Sequence, residues 1–448
     1  MKNVPVISVS TIKNYHQAIQ KILEHFPHLK DQIKKKKHIF IVGYIDYHYS
    51  EYLHSDTDFL KKLCEYIRNE NPKAKIYLLL NNIFGFCTRL FVNLTNMRDE
   101  LRRHKIKFIF LDEKKPDLVT VKNGAHSCQF NLPRIINTKL VQNRNNALLF
   151  NVSPLKTHHY NKLAGSLFHH MHLLSPESQN EIYSTNLHKF LPYLIKHVKS
   201  DFTFINATNV ISHGLLTSQL RISEYSNFFN TILGSTDPLA ADLASLQLLG
   251  FNQNDVKYMK KIHHKNDFEV YVQIIGELSP LKDPIAYSPR VSHLPDDLDI
   301  IIGGNRSAVD PRLGIALHFI QIMNDDLRGN AGFSLIAGNE FKSSQFTHVQ
   351  QPLIVLGSSC CKELSKFLQE RFNDIYFVAD DTPIRYLLGV LLKVMHVDKY
   401  NLMGTNPVYA WRSALISRFK GSRYRFPSVP GRLKKWKVQT SQTKKGSQ

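Results

Sequence analysis

The sequence predicts an α/β protein with a mostly parallel sheet, helices on both of its faces, and a second, smaller α/β domain. Short apolar runs typical of buried strands alternate with amphipathic segments of helical period through residues 11–111. This β–α–β–α–β order is typical of a parallel sheet covered by helices. The alternation resumes after residues 279–297, where four prolines predict a domain boundary.

The individual elements follow from the hydrophobic period. In the first half, the pattern predicts helices over 11–26, 56–69, 90–103 and 157–174 and strands over 38–42, 75–80, 107–111, 147–152 and 201–205. In the second half, it predicts strands over 298–302, 352–356 and 374–379 and helices over 311–325, 362–372 and 383–397. The predicted domains are 1–285 and 296–405, followed by a partly disordered basic tail over 406–448.

The charge of the chain is strongly basic and unevenly distributed. The net charge is +21, and residues 406–448 hold eleven of the 58 Lys and Arg residues without any Asp or Glu. Aromatic residues such as Trp411 and Trp436 lie between these basic residues. The mixture suits nucleic acid or an anionic membrane surface, and it is also typical of a solvated terminal extension.

Cysteine usage and hydropathy indicate a cytoplasmic protein. The five cysteines form no C-x-x-C pair, and their odd number argues against a disulfide framework. The first twenty residues are mostly polar and predict no secretory signal. The longest apolar run, 386–397, is too short to form a transmembrane segment.

The first candidate site lies in residues 151–176. On the predicted helix 157–174, His158, Lys162, His169 and His172 share one face. His169 and His172 have the i, i+3 spacing that can hold one metal ion, which would need a carboxylate from elsewhere. A divalent metal is therefore a candidate cofactor. The same pattern is also typical of a solvated polar face.

The second candidate site lies in residues 234–250. Ser235 or Thr236 is predicted to cap a helix that has Pro238 in its first turn and ends at Gly250. Asp237 then lies near the positive end of the helix dipole, and Asp242 follows about one turn later. The position of Asp237 is equally typical of a simple helix cap. The position of Asp242 is equally typical of a carboxylate at the surface or at the rim of the core.

These two stretches resemble a known family. LKTH at 155–158, followed by Gly165, and STDPLAADLASLQLLG at 235–250 resemble the family called domain of unknown function 362. The sequence DTDF at 56–59 resembles that family's early T-D-P stretch, with Phe59 in place of Pro. The likeness covers about residues 4–259. It implies an α/β fold, whereas the family has no settled reaction to carry over.

The chain departs from the family pattern at several positions. Phe168 and His169 stand where Lys-Asn is usual, His172 where Gly is usual, and Asn206 where Asp usually follows a strand. Many family members hold a ferredoxin-like Cys module, which this sequence lacks. We therefore expect a divergent member without an iron–sulfur cluster.

Loops after predicted strands supply the remaining candidates. Ligands in parallel sheets bind beyond the carboxyl ends of the strands, which points to Asn206 and His213. In the second domain, the strand–turn–helix segment at 357–361 suits an anion held by backbone amides, with Gly357 and Ser358 as the binding residues. Cys360 at this helix start is a further candidate for a lowered pKa, or a buried structural thiol.

Two hypotheses for function follow. In the first, the chain is an enzyme-like protein that binds a small anionic ligand or a metal in an interdomain cleft. Lys156 neutralises the anion, His158 transfers a proton, and Asp237 and Asp242 act as acceptors in the same cleft. In the second, the family site has decayed, and residues 406–448 bind nucleic acid or an anionic surface.

Overall fold

The computed structural model describes most of the chain up to Ser422. The described residues are 6–12, 14–45, 54–123, 126–158, 161–185, 187–212, 220–256, 258–259, 272–285, 294–305, 309–310 and 312–422. His213 and residues 423–448 lie outside them.

Within the described residues, one large mixed sheet dominates the first part of the chain. Fifteen strands are numbered in chain order: β1 Val6–Thr11, β2 His38–Val42, β3 Lys75–Leu80, β4 Lys107–Phe110, β5 Pro116–Asn123, β6 His126–Pro133, β7 Ala147–His158, β8 Lys162–Ala164, β9 Phe202–Ile211, β10 Ser226–Ser235, β11 Gln273–Ile275, β12 Leu298–Ile302, β13 Phe333–Ala337, β14 Leu353–Leu356 and β15 Ile375–Val378. The large sheet has the order β11-β1-β10-β9-β7-β2-β3-β4, with β8 paired to β7, while β5 and β6 form a separate hairpin.

The described α-helices lie around the sheets, and several of them bury an apolar face. They are α1 Tyr15–Glu24, α2 Pro27–Lys35, α3 Thr57–Glu70, α4 Thr88–Leu94, α5 Met97–Arg102, α6 Arg134–Ile136, α7 Ser166–His169, α8 Pro176–Thr185, α9 Leu187–His197, α10 Ile222–Tyr225, α11 Pro238–Leu248, α12 Arg312–Asp325, α13 Ser358–Gln369, α14 Ile384–Val394, α15 Lys399–Leu402 and α16 Pro407–Phe419. On α3, for example, the buried residues include Phe59, Leu63 and Ile67, which recur at the spacing of an amphipathic helix.

The predicted α/β class is confirmed. Strands β9, β7, β2, β3 and β4 are mutually parallel neighbours, and β12, β13, β14 and β15 form a second sheet that is parallel throughout. The two parts are joined through α10 and α12, where Arg221 Nε donates to Asp325 Oδ2 at 2.8 Å and Gln321 Nε2 donates to the Tyr225 hydroxyl at 2.7 Å. The domain bounds themselves stay a prediction.

Three local predictions were wrong. Residues 157–174 do not form one helix, because β7 continues to His158, β8 follows, and only then do α7 and the 3₁₀ turn His170–Leu173 begin. Residue Asn206 lies within β9 rather than in a loop after it. The helix expected over 90–103 is split into α4 and α5. In the first two cases strand pairing across the sheet overrides the local sequence pattern.

The strand that leads into the second motif is not parallel to its neighbours. Strand β10 is antiparallel to both of its neighbours, β9 and β1. The end of β10 therefore points away from the edge at which β2, β3 and β7 end. The two motifs therefore do not follow parallel strands to one edge of the sheet, and they meet instead through α11 and α7.

Candidate functional site

The LKTH motif forms the end of the longest parallel strand. Val42, the last residue of β2, pairs with Asn151 of β7, so β7 extends well beyond its neighbour. In this extension Lys156 pairs with Ala164 and His158 pairs with Lys162 of β8. Lys156 and His158 are two residues apart, and each is only 1% exposed. Both therefore lie buried at the carboxyl edge of the parallel strands, where ligands bind in sheets of this type.

The ammonium group of Lys156 lies in an aromatic environment. Its Nζ is 4.2 Å from the centroid of the Tyr44 ring, and Tyr44 follows the end of β2. The His169 and His172 rings lie 5.7 Å and 5.0 Å from the same tyrosine ring. A cation over an aromatic face is stabilised by the ring quadrupole. We call Tyr44, Lys156, His158, His169 and His172 the imidazole cluster.

Asn151 orients two of the neighbouring histidines. His169 Nδ1 donates to Asn151 Oδ1 at 2.6 Å, and Asn151 Nδ2 donates to the Ser166 carbonyl at 2.8 Å. His170 Nδ1 donates to that same carbonyl at 2.9 Å. Since carbonyl and amide oxygens only accept, these contacts fix the proton of each neutral ring on Nδ1.

Burial keeps these rings neutral. It lowers the pKa of His169 well below its usual value, and the neighbouring His172 and His170 lower it further. Burial also lowers the pKa of His170 to about 4. At neutral pH both rings are therefore uncharged.

His158 is held in the opposite tautomer. Its Nδ1 accepts a hydrogen bond from the Asn161 amide at 3.1 Å, and its ring packs on Phe168 with the centroids 4.8 Å apart. A neutral ring whose Nδ1 accepts carries its proton on Nε2. His158 thus presents an Nε2–H group that can donate a hydrogen bond.

The expected pairing of His169 and His172 around a metal ion has little geometric support. The two ring centroids are 4.8 Å apart, but His169 Nδ1 donates to Asn151 and its Nε2 faces the Gly43 carbonyl at 3.3 Å. His172 Nδ1 donates to the Asn81 carbonyl at 3.1 Å. Among the described residues, no group of three His, Cys, Asp or Glu is arranged to hold a metal ion.

Asp237 has the contacts of a helix cap. Its Oδ1 accepts from the amides of Leu239 and Ala240 at 2.9 Å and 3.4 Å, at the start of α11. Asp237, rather than Ser235 or Thr236, is therefore the N-cap residue. The Ser235 hydroxyl donates to the Val6 carbonyl at 2.7 Å and accepts from the Asp237 amide at 3.1 Å, which ties the motif to β1.

Asp242 joins the two family motifs. It is fully buried on α11, where Oδ1 accepts from the Ser166 amide at 2.6 Å and Oδ2 accepts from the Leu167 amide at 3.1 Å. Burial raises the pKa of Asp242 to about 7, although the hydrogen bonds from Ser166 and Leu167 favour the charged form. The Ser166 hydroxyl also donates to the Pro238 carbonyl at 2.9 Å. The second motif thus fixes the first turn of α7, which carries His169.

Asn206 and Asp56 belong to a separate polar network. The Asn206 side chain accepts from the Thr208 amide at 2.9 Å. The Thr208 hydroxyl lies 3.2 Å from the Tyr15 hydroxyl, which also bonds to Asp56. Asp56 in turn caps α3 by accepting from the Phe59 amide at 3.0 Å. The early DTDF sequence therefore begins a helix, with Asp56 rather than Thr57 or Asp58 as its cap.

The predicted anion site in the second sheet already holds an anionic side chain of the protein. The Ser358 amide at the start of α13 donates to Asp380 Oδ1 at 3.0 Å, and the Ser358 hydroxyl accepts from the Asp380 amide at 2.9 Å. Gly357 has a φ of +94°, and it faces both Asp310 and Asp380. Burial raises the pKa of Cys361 to about 12 and raises that of Cys360 further. Both thiols are buried, and burial raises the pKa of Cys360 where the sequence pattern suggested a lowered one.

Sequence reasoning missed Tyr44, Asn81 and Asn151. Tyr44 and Asn81 lie just beyond the carboxyl ends of β2 and β3, whereas Asn151 lies within β7, where it pairs with the last residue of β2. Each contacts a histidine of the cluster or its turn. Asn206 was chosen because a polar residue after a predicted strand is a candidate ligand-binding residue. Tyr44 and Asn81 follow the predicted strands 38–42 and 75–80, so the same criterion indicates both of them.

With this geometry in place, comparisons with known proteins identify the region. The model of the family described as "Domain of unknown function (DUF362)" matches residues 42–247. This stretch is similar to that family, and we call it the DUF362 region. It begins at the end of β2 and ends within α11, so it contains the first motif, most of the second and the whole imidazole cluster. The predicted resemblance is confirmed.

The solved structures that match the whole chain are only distantly similar to it. The lactate racemase apoprotein from Thermoanaerobacterium thermosaccharolyticum is 12% identical, with a TM-score of 0.41, over 84% of this chain and 93% of that chain. A Thermotoga maritima protein solved by a structural genomics consortium is 12% identical, with a TM-score of 0.33, over 71% of this chain and 70% of that one. No curated protein matches.

Proposed function

We propose that the DUF362 region binds a small carboxylate or phosphate at the carboxyl edge of its sheet, through Lys156 and His158. The observation that carries this proposal is the burial of the Lys156 ammonium in the imidazole cluster, over the Tyr44 ring at 4.2 Å. An ammonium group in a site of low polarity attracts an anion far more strongly than it does in water. A bound anion therefore interacts strongly with the Lys156 ammonium, in addition to the contacts that Lys156 already makes within the protein.

The hydrogen-bond donors support an anion rather than a metal cation. Lys156 is positively charged, and the neutral His158 ring presents an Nε2 proton, as its contact with Asn161 requires. Two such donors suit carboxylate or phosphate oxygens. The charge of Lys156 opposes a divalent cation at His169 and His172, whose Nδ1 atoms already donate to the protein.

The same arrangement supports an enzyme-like role for His158. A ligand anion held by Lys156 accepts a hydrogen bond from the Nε2–H group of His158, and this neutral ring polarises the ligand as a hydrogen-bond donor during a reaction. The pKa of Asp242, raised to about 7, belongs to a carboxylate that holds α7 in place. We assign Asp237 and Asp242 to supporting the site, since Asp237 accepts from backbone amides of α11 and Asp242 accepts from backbone amides of α7.

Ligand-dependent thermal stability tests the proposal. A ligand that binds only the folded state at a hundred times its Kd stabilises the protein by about 2.7 kcal/mol. We expect inorganic phosphate or acetate to raise the Tm of the wild type but not of Lys156→Met. The matched control is Lys107→Met, which removes the same charge from an exposed lysine at the start of β4.

Two results would contradict the proposal. If Lys156→Met responds to the probes as strongly as Lys107→Met does, the anion contacts another part of the chain. If neither probe stabilises the wild type at low ionic strength, the chain does not bind the proposed class of ligand.

A further inference from the structure

The C-terminal helix α16 has its large apolar residues on the outside. Val408, Trp411, Leu415 and Phe419 are 76%, 63%, 41% and 83% exposed. Their spacing of three, four and four residues places them on one face of a helix. We call these four side chains the apolar stripe. Exposed apolar patches of this kind mark interaction sites more often than ordinary surface.

The opposite face of α16 is made of small residues and is fixed to the protein. Ala410, Ser413 and Ser417 are buried, which lets the helix approach α4 closely. The Tyr409 hydroxyl donates to the Asn93 carbonyl at 3.4 Å, and the Ser422 hydroxyl donates to Asp112 Oδ2 at 2.9 Å. The helix is thus anchored near both ends with its stripe facing outward.

Basic residues border the stripe. At 100° per residue, Arg412 and Arg418 fall on either side of it, and both are exposed. Residues 423–448 add eight Lys and Arg and no acidic residue to the chain. An apolar face bordered by Arg and followed by a basic segment has the composition of a helix that lies in a membrane interface.

We propose that α16 docks on an anionic lipid surface, with the apolar stripe inserted at the boundary between headgroups and acyl chains. Arg412 and Arg418 then contact lipid phosphates, and the following basic residues add long-range attraction. The described part of the chain has no helix that is long and apolar enough to cross a membrane. The helix of 13 residues, about 20 Å long, lies along the surface instead.

The charges argue against the other occupants of this face. In a symmetric pair of chains, the basic residues of both copies would be brought together and would repel each other. Nucleic acid would use the arginines and the aromatic rings, but it offers little to exposed aliphatic side chains such as Val408 and Leu415. This proposal is independent of the anion site at Lys156.

Vesicle binding by the full-length chain tests the proposal. We expect the protein to sediment with vesicles of phosphatidylcholine and phosphatidylserine but not with phosphatidylcholine alone. Phe419→Ser should lower the partition coefficient about tenfold or more, because it removes a large apolar side chain from the interface. Phe228→Ser makes the same change at a phenylalanine of β10 that is 66% exposed, and it should bind like the wild type.

Tryptophan fluorescence gives a second readout that does not depend on the serine variants. The chain has two tryptophans, so Trp436→Phe leaves Trp411 as the reporter. Its emission should shift to the blue with phosphatidylserine vesicles and should be quenched by brominated acyl chains. Equal binding by Phe419→Ser and Phe228→Ser, together with an unshifted Trp411 emission, would overturn the proposal.

Three further outcomes would also overturn the proposal. A Trp411 shift with single-stranded RNA but not with vesicles would assign the surface to nucleic acid. A concentration-dependent dimer, detected by sedimentation and abolished by Phe419→Ser, would assign it to a second copy of the chain. The absence of vesicle binding at low ionic strength would reject lipid docking outright.

Discussion

Gly165 and Asp242 are in such close contact that a side chain at position 165 would clash with the Asp242 carboxylate. A Cβ atom built on Gly165 would lie 2.5 Å from Asp242 Oδ1 and 2.8 Å from its carboxyl carbon. This approach lets the carboxylate reach the amides of Ser166 and Leu167. The two family motifs meet here, about one turn before His169, and the contact explains why a glycine follows LKTH at this distance.

Replacing Gly165 with Ala should destabilise the protein by about 1–3 kcal/mol, as expected for overpacking at a buried site. Urea denaturation measures the change in the free energy of unfolding. Gly304→Ala is the matched control, because the nearest atom to its added Cβ lies at 3.4 Å, and it should have a much smaller effect. Equal effects of the two substitutions would mean that the Asp242 contact does not restrict position 165.

Asp242 should make the stability of the protein depend on pH. Burial raises its pKa from 3.8 to about 7 in the folded state. Between these values the folded protein holds more protons than the unfolded chain, so the contribution of this group to stability falls as pH rises. The destabilisation caused by Asp242→Asn, which does not titrate, should therefore be larger at pH 4 than at pH 8.

Urea denaturation of both proteins across this range checks the prediction. Asp237→Asn serves as a control for the loss of a carboxylate at a helix start. A destabilisation by Asp242→Asn that stays constant between pH 4 and pH 8 would show that the carboxyl group does not titrate in this window.

The Asp380 carboxylate should keep external anions away from the start of α13, which the sequence indicates as an anion site. Asp380→Ala removes the carboxylate that accepts from the Ser358 amide, and loss of such a contact at a helix start costs about 0.5–2 kcal/mol. Sulfate should then stabilise the variant more than it stabilises the wild type. Asp381→Ala is the control, since Asp381 is exposed and adjacent. An equal response of all three proteins to sulfate would show that the Ser358 amide does not receive external anions.

The sequence by itself determined the fold class and the resemblance to the DUF362 family. Apolar runs such as 38–42 and 75–80 form strands with the predicted bounds. A strand that is buried on both faces is apolar along its whole length, so its ends are easy to place in the sequence. The motifs at 155–165 and 235–250 were sufficient to recognise the DUF362 region. The Pro238 helix and its end at Gly250, which has a φ of +75°, also followed from local chemistry.

Only the tertiary structure decided how the candidate site is built. Residues 157–174 have a helical hydrophobic period, but the first of them belong to β7, which pairs with β8 and β9. A helix at this position would lose the hydrogen bonds of that pairing. That change moved Lys156 and His158 from a loop and a helix face into a buried strand. It also brought Tyr44, which is more than a hundred residues away in the chain, beneath the Lys156 ammonium. Such contacts depend on register between distant strands, and no local pattern records them.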